Sequence, residues 1–557
     1  MNLRITLLII LLFGFHKIGA HTASGQGTDT YDIEKLSSLC KIWGFLKYYH
    51  PSVAKGTYNW DEQLIQLFPQ VAEAKNQNEL SNVYLKWIEN LGEVKPCKSC
   101  INSSKEEYFD KNLDFSWLDN KNLFSEELSK KLKYIQNNRF QGENYYVTAG
   151  KSGNIQVKNE LKYDNFNFPE QNYRLLSLFR YWNVVEYFYP YKYQTDENWN
   201  EVLKEMIPKF LNAGNEIQYH LAMLETVIKL DDSHANFYTV KIHDFFGRKY
   251  IPAYFNIIEN KATITGFYND SLARMNDLRI GDVIDKADGK DVDKIVIERK
   301  KYVSGSNSRT KAKNYDFFVL NGSADSLKLT VNRGGREIEK KVGRFDDKYF
   351  KNNTTMNGVK YRLLDHNIGY ADMNFLQMAD VDQMMLDFKS TKAIIIDYRK
   401  GMNFKPYLIA RRLIQSEKAF ARLIEPDLSY PGRFVWLKPE TITPIKNKYY
   451  SGKIIVLVNE NTQSASEYAA MILQTGDNVT TIGSTTAGAD GDVSNVEFVG
   501  FRSFISGLGV FYPDGSETQR KGVKVDLDVY PTVKGLQEGK DEVLDSAVDF
   551  LKKSNKN

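Results

Sequence analysis

Cysteine is scarce: the 557 residues hold three, Cys40, Cys97 and Cys100. That excludes a disulfide-dense scaffold and a multi-cysteine zinc protein. Cys97-Lys-Ser-Cys100 is a single CxxC, and a zinc site needs two further ligands at matching spacing. The pair reads as a local disulfide, with a redox role as the alternative; no thioredoxin-like βαβ pattern surrounds it. Long apolar runs are missing too, since none reaches the roughly 20 residues of a membrane-spanning helix. Neither sign of charge dominates, with 74 Lys plus Arg against 70 Asp plus Glu and a net charge of +4. That balance argues against a nucleic-acid-binding surface and against an acidic tail. No HExxH and no nucleotide-binding loop occur, so neither a metal nor another cofactor is called for.

The chain is too long for one ordinary domain, and at roughly 100–200 residues each it predicts about three to five. Hydrophobic residues make up 42% and charged residues 26%, enough to bury large cores and to exclude global disorder. The aromatics, including 34 Tyr and 32 Phe, are spread along the whole length and read as packing residues. At the start, Arg4 precedes an apolar run from Ile5 to Phe15, broken by Thr6 and Gly14, and Gly19-Ala20 follow. This predicts a cleaved signal peptide over residues 1–20 and a periplasmic or secreted protein with no membrane span in the mature chain.

The N-terminal half repeats itself. Leu39-Cys40-Lys41-Ile42-Trp43 to Pro51 reappears as Leu178-Phe179-Arg180-Tyr181-Trp182 to Pro190. Trp43 and Trp182, Pro51 and Pro190, Trp60 and Trp199, and Pro69 and Pro208 share one register, 139 residues apart. Both copies continue as helical patterns, Leu80 to Leu91 and Ile217 to Leu230. A duplicated helical module follows, spanning 28–150 and 165–240; two copies are too few for a solenoid. Only the second copy ends in Leu230-Asp231-Asp232-Ser233-His234. His234 is either a surface residue or a side chain reaching into a cleft.

Residues 245–343 read as short strands and turns. Tyr254 to Ile258 and Ala262 to Phe267 pair across Glu259-Asn260, and Leu327 to Val331 and Glu337 to Val342 close a hairpin at Gly334-Gly335. Leu278-Arg279-Ile280-Gly281-Asp282-Val283-Ile284, followed by Gly289, resembles a PDZ domain, which implies peptide binding by strand addition. Tyr250-Ile251-Pro252-Ala253-Tyr254 stands in place of the usual Gly-rich carboxylate loop. From 350 to 557 strands alternate with helices: Ile368 to Met373, a helix over Asp380 to Phe388, then the apolar runs Ala393 to Asp397 and Lys453 to Val458. Ser464-Ala465-Ser466-Glu467 then opens a helix to about Thr475, placing Ser464 either as an N-cap or as a nucleophile beside helix N-terminal N–H groups.

Taken in order, Gly281-Asp282-Val283-Ile284, Ile394-Ile395-Ile396-Asp397-Tyr398-Arg399, Val456-Leu457-Val458-Asn459 with Ser464-Ala465-Ser466-Glu467, Ile482-Gly483-Ser484-Thr485-Thr486-Ala487-Gly488 and Gly522-Val523-Lys524-Val525-Asp526 resemble the C-terminal processing (tail-specific) serine peptidases and the related tricorn core protease. The resemblance implies an α/β multidomain fold: the helical repeat module, the PDZ-like β-rich domain and an α/β (crotonase-like) serine peptidase core. It implies Ser464 as nucleophile and an extended or unfolded polypeptide as substrate. Oligomeric state is not implied.

Three departures shape the expected site. The family's usual lysine position reads Ala489, and alanine takes no proton, so a Ser–Lys dyad is excluded there. The tricorn-like branch instead draws its base from a Ser-His pair ahead of the PDZ-like domain, where Ser233-His234 stands; an imidazole near its reference pKa of about 6.5 suits that role. The family's Asn-x-Gly-Gly after Asp-x-Arg reads Lys400-Gly401-Met402-Asn403-Phe404, so the expected oxyanion donors are the amides of Ala465 and Gly401. Glu517 is the expected acid, with an exposed hairpin carboxylate as the alternative. Ser233 and Glu517 would orient His234. The rival expectations are a catalytically inactive peptide-binding relative, prompted by Ala489, and a serine esterase or amidase.

Overall fold

A computed structural model describes residues 30–100, 106–350, 358–402, 407–414, 416–445 and 450–554. The expected signal peptide lies outside the described residues, as do Asn403 and Phe404. The first half is helical, with α1 (Thr30–Tyr49), α2 (Trp60–Glu73), α3 (Gln77–Asn90), α4 (Gln171–Phe188), α5 (Trp199–Leu211) and α6 (Glu216–Ile228). The 139-residue register is visible in local chemistry. Asn59 and Asn198 cap α2 and α5, and Asn76 and Asn215 cap α3 and α6, each through a side chain that accepts a first-turn N–H. The tryptophans pair reciprocally in both halves: Trp43 and Trp60 exchange indole-to-carbonyl hydrogen bonds of 2.9 and 3.1 Å, Trp182 and Trp199 of 2.8 and 3.1 Å. Cys97 and Cys100 are disulfide-bonded, and Cys40 is buried in the helical core.

A small antiparallel sheet follows, built from β1 (Ala253–Ile258), β2 (Lys261–Phe267), β3 (Val283–Ala287), β4 (Ser326–Arg333) and β5 (Arg336–Gly343). Its order is β5-β4-β3-β2-β1, so β1 is an edge. Gly334 and Gly335 turn the β4–β5 hairpin with φ of 57° and 85°, a region closed to most side chains. The short helix α7 (Ser308–Asn314) packs against β1.

The last part is a mixed sheet of β6 (Tyr361–Leu364), β7 (Ile368–Asp372), β8 (Ala393–Asp397), β9 (Lys453–Val458), β10 (Val479–Gly483) and β13 (Leu527–Asp528), in that order. All neighbours are parallel except the β6–β7 pair. Alternation along the strands serves two cores. Ile394, Ile396, Val456 and Val458 meet α8 (Ala465–Leu473) on one face, while Ile395, Ile455 and Leu457 meet α9 (Glu542–Ser554) on the other. The hairpin of β11 (Val493–Phe498) and β12 (Phe501–Ser506) leaves this sheet and buries Val496, Phe498 and Ile505 in the helical core. β12 also pairs with Asn236–Phe237, just after His234. That pairing brings the end of the helical region to the end of β12. Among the described residues no helix is long and apolar enough to cross a membrane.

Candidate active site

Ser464 stands at the turn between β9 and α8, with φ 54° and ψ −121°, a conformation that is costly for any residue with a Cβ. Its N–H donates to Ala489 O at 2.9 Å and to Glu467 Oε2 at 3.2 Å. Glu467 is fully buried and also accepts the N–H of Gly488 at 2.8 Å, the N–H of Ala489 at 3.0 Å and the hydroxyl of Thr486. Burial pushes its carboxyl above the usual range, against the pull of those four donors. The alanine at the expected lysine position thus brackets the serine turn through its backbone, carbonyl to Ser464 and N–H to Glu467. Ala465 is exposed and opens α8, so its N–H is one of the helix-start donors without an intrahelical partner. The N–H of Gly401 instead donates to Tyr398 O at 3.0 Å and closes a turn after β8.

His234 is half-buried on the loop after α6. Its Nδ1 lies 3.0 Å from Ser506 Oγ, and Ser506 Oγ donates to Asp232 Oδ1, also at 3.0 Å. Asp232 is buried and further accepts the N–H of Ser506 at 2.8 Å, the N–H of His234 at 3.0 Å and Gln519 Nε2 at 3.4 Å. The tautomer follows from counting protons. A serine hydroxyl has one, and here it goes to a carboxylate that can only accept. Ser506 must therefore accept from His234 Nδ1–H, which leaves Nε2 of the neutral ring with the lone pair of a base.

The two halves meet through their neighbours. Gln463 Nε2 donates to Ser233 O at 3.3 Å, and Ser233 Oγ donates to Ala487 O at 3.1 Å. No direct His234–Ser464 hydrogen bond forms among the described residues. Ser233 ties its loop to Ala487, and its hydroxyl donates there rather than bonding the imidazole. Glu517 accepts from Tyr193 Oη at 2.9 Å and pairs with Lys521 at 3.0 Å and Lys111 at 3.5 Å. The carboxylate linked to His234 is Asp232. Sequence reading missed that role and the whole of Ser506. The acid stands in Asp231-Asp232-Ser233-His234 in plain view, whereas Ser506 lies 272 residues from His234 and carries no motif of its own.

A cavity of about 580 Å³ lies beside the serine turn, between β1 and the parallel sheet; Tyr254, Asp316, Phe317, Arg399, Lys400 and Glu460 are among its walls. Residues 367–529, which hold Ser464, match the sequence profile of Peptidase family S41. The chain carries a peptidase family S41 domain. This is a family of serine peptidases, and the chain is a serine-type peptidase on the ground of that domain. Mature CPAF complexed with lactacystin shares its fold at a TM-score of 0.52 and 14% identity, covering 69% of this chain and 96% of that one. A second mature CPAF structure gives 0.51 and 14%, covering 67% and 95%. The photosystem II D1 C-terminal processing protease gives 0.40 and 17%, covering 67% and 98%. No curated protein matches this chain.

Proposed function

We propose that the chain is an exported serine endopeptidase that hydrolyses unfolded or extended polypeptides through an acyl-enzyme. The observation that carries this reading is the chain of hydrogen bonds from Asp232 through Ser506 to His234 Nδ1, which sets Nε2 as a base on a loop tied to the Ser464 turn. In the first step Ser464 Oγ attacks the peptide carbonyl while His234 Nε2 takes its proton. That proton then goes to the leaving amine as the C–N bond breaks. Water next attacks the ester, giving a proton to Nε2, and the proton returns to Ser464 Oγ as the acid leaves. Asp232 steadies the imidazolium through Ser506, and the N–H of Ala465 faces the developing oxyanion. Substrate seating closes the distance between base and nucleophile, as catalytic hydrogen bonds often tighten only in the complex.

The small sheet is read as PDZ-like, with β1 as the edge that receives an extended chain, and the six helices as a duplicated module. Export rests on residues 1–20. The test is hydrolysis of a fluorescent unfolded polypeptide beside a matched small ester, by the mature protein and by Ser464→Ala. Polypeptide cleavage with release of new N-termini, lost in the variant, is expected. Ester turnover alone would replace this reading with an esterase, and binding without turnover of either would replace it with a peptide-binding relative.

A further inference from the structure

One segment of the small-sheet region touches both halves of the candidate site. Ser306 and Ser233 form a reciprocal pair: Ser233 N donates to Ser306 Oγ at 2.7 Å, and Ser306 N donates to Ser233 Oγ at 2.8 Å. Lys311 Nζ donates to Asp231 Oδ1 at 2.7 Å. These contacts hold the loop that carries Asp232 and His234. On the other side, Asn307 Nδ2 donates to Thr486 O at 2.8 Å and lies 3.3 Å from both Ala487 O and Arg520 O. Thr310 Oγ1 also lies 3.3 Å from Ala487 O, and Lys313 Nζ donates to Glu460 O at 3.0 Å, four residues before Ser464. The segment Thr486–Ala489 is the one whose backbone and Thr486 hydroxyl ring Glu467 and the serine turn.

Ser306 and Thr310 are fully buried, so these are interior contacts with little water to compete for them. A hydrogen-bonding cluster that joins two loops 254 residues apart does more than cap a seven-residue helix. We propose that Ser306 and Asn307 are positioning residues that hold the His234 loop and the Ser464 turn in register; the proposal rests on the acyl-enzyme reading above. The same segment bears on the edge strand: Asp316 Oδ1 accepts the N–H of Phe255 at 3.2 Å, and α7 packs on β1. A chain added to β1 therefore contacts the part of the molecule that aligns base and nucleophile.

Asn307 permits a clean separation of roles. Its Oδ1 caps α7 by accepting the N–H of Thr310 at 3.0 Å, and its Nδ2 makes the bonds to the Thr486 loop. Asn307→Asp keeps the cap, for which aspartate is as good, and replaces the donor by a carboxylate facing carbonyl oxygens. The experiment measures kcat and KM on the unfolded polypeptide, the rate of fluorophosphonate labelling and the thermal midpoint. The full mature chain is compared with Asn307→Asp, Asn307→Ala and Ser306→Ala. Expected is a fall of about 10- to 100-fold in kcat and in labelling rate for both Asn307 variants, with KM within about twofold, since small misplacements cost that much. Asn307→Asp is to melt near wild type, and Ser306→Ala to show a smaller loss of the same kind. Wild-type kcat and labelling in Asn307→Asp overturns the proposal, as does a loss confined to KM or one that only tracks unfolding. Absence of labelling in the folded wild type instead overturns the acyl-enzyme reading, and this proposal with it.

Discussion

Ser506 has one hydroxyl proton, and giving it to Asp232 decides which nitrogen of His234 can act as base. A relay serine of this kind is easily tested because it touches no substrate in the proposed mechanism. Ser506→Ala removes the acceptor of Nδ1–H, frees the ring to turn and separates Asp232 from the imidazolium. Steady-state hydrolysis is expected to show kcat lowered about 100-fold with KM within about twofold, and Ser506→Thr, which keeps a hydroxyl, recovering most of it. A Ser506→Ala enzyme with kcat within twofold of wild type would remove Ser506 from the relay. Ser464 and His234 could be put forward from the sequence because the order of motifs resembles the tail-specific peptidases; a serine at a helix start and a Ser-His pair alone left a cap and a surface residue open. Ser506 could not. It reaches His234 only through the pairing of β12 with Asn236–Phe237, and strand partners that distant leave no local trace.

The turn from β9 to α8 carries its own strain. With φ 54° and ψ −121°, Ser464 occupies a conformation that glycine adopts freely and other residues do not. Five backbone and side-chain bonds around Glu467 and Ala489 hold it there. Ser464→Ala and Ser464→Gly both lose the nucleophile, but only the second relieves the strain. Urea unfolding is expected to place Ser464→Gly about 1 kcal/mol above Ser464→Ala at equal slope, after allowing for the greater freedom of glycine in the unfolded chain. Equal or reversed stabilities would mean that the turn stores no strain. The elements themselves follow the sequence closely: Ala393–Asp397 and Lys453–Val458 are strands at the bounds their apolar runs predict, and the Gly334-Gly335 hairpin forms. The sense of the turn at Ser464 was not readable, because serine carries no positive-φ preference and the carbonyl that fixes it belongs to Ala489.

Across the whole molecule, the 139-residue register announced itself through tryptophan and proline spacing, and the tryptophans make local bonds that repeat with it. How the small sheet meets the parallel sheet was not legible, because that junction is made of scattered polar groups. Asp316 sits at it, buried, bonded by Phe255 N–H and Tyr268 Oη, with its carboxyl raised from 3.8 to about 7 by burial. A raised acid binds its proton more tightly in the folded state. Its contribution is therefore complete below pH 3.8 and is lost as pH rises through 7. Asp316→Asn is expected to gain stability relative to wild type between about pH 4 and 7, by at most on the order of 4 kcal/mol, and to hold that gain above pH 7. A pH-independent difference in urea unfolding would contradict the buried-acid account. The central claim, that one serine is activated by one histidine on a distant loop, is tested most directly by fluorophosphonate labelling of the mature protein, with the modified residue located by mass spectrometry. The account predicts a single adduct on Ser464, formed by the wild type, absent in Ser464→Ala and slowed at least about 100-fold in His234→Ala. Labelling of Ser464 at an unchanged rate without His234, or none in the folded wild type, would contradict it.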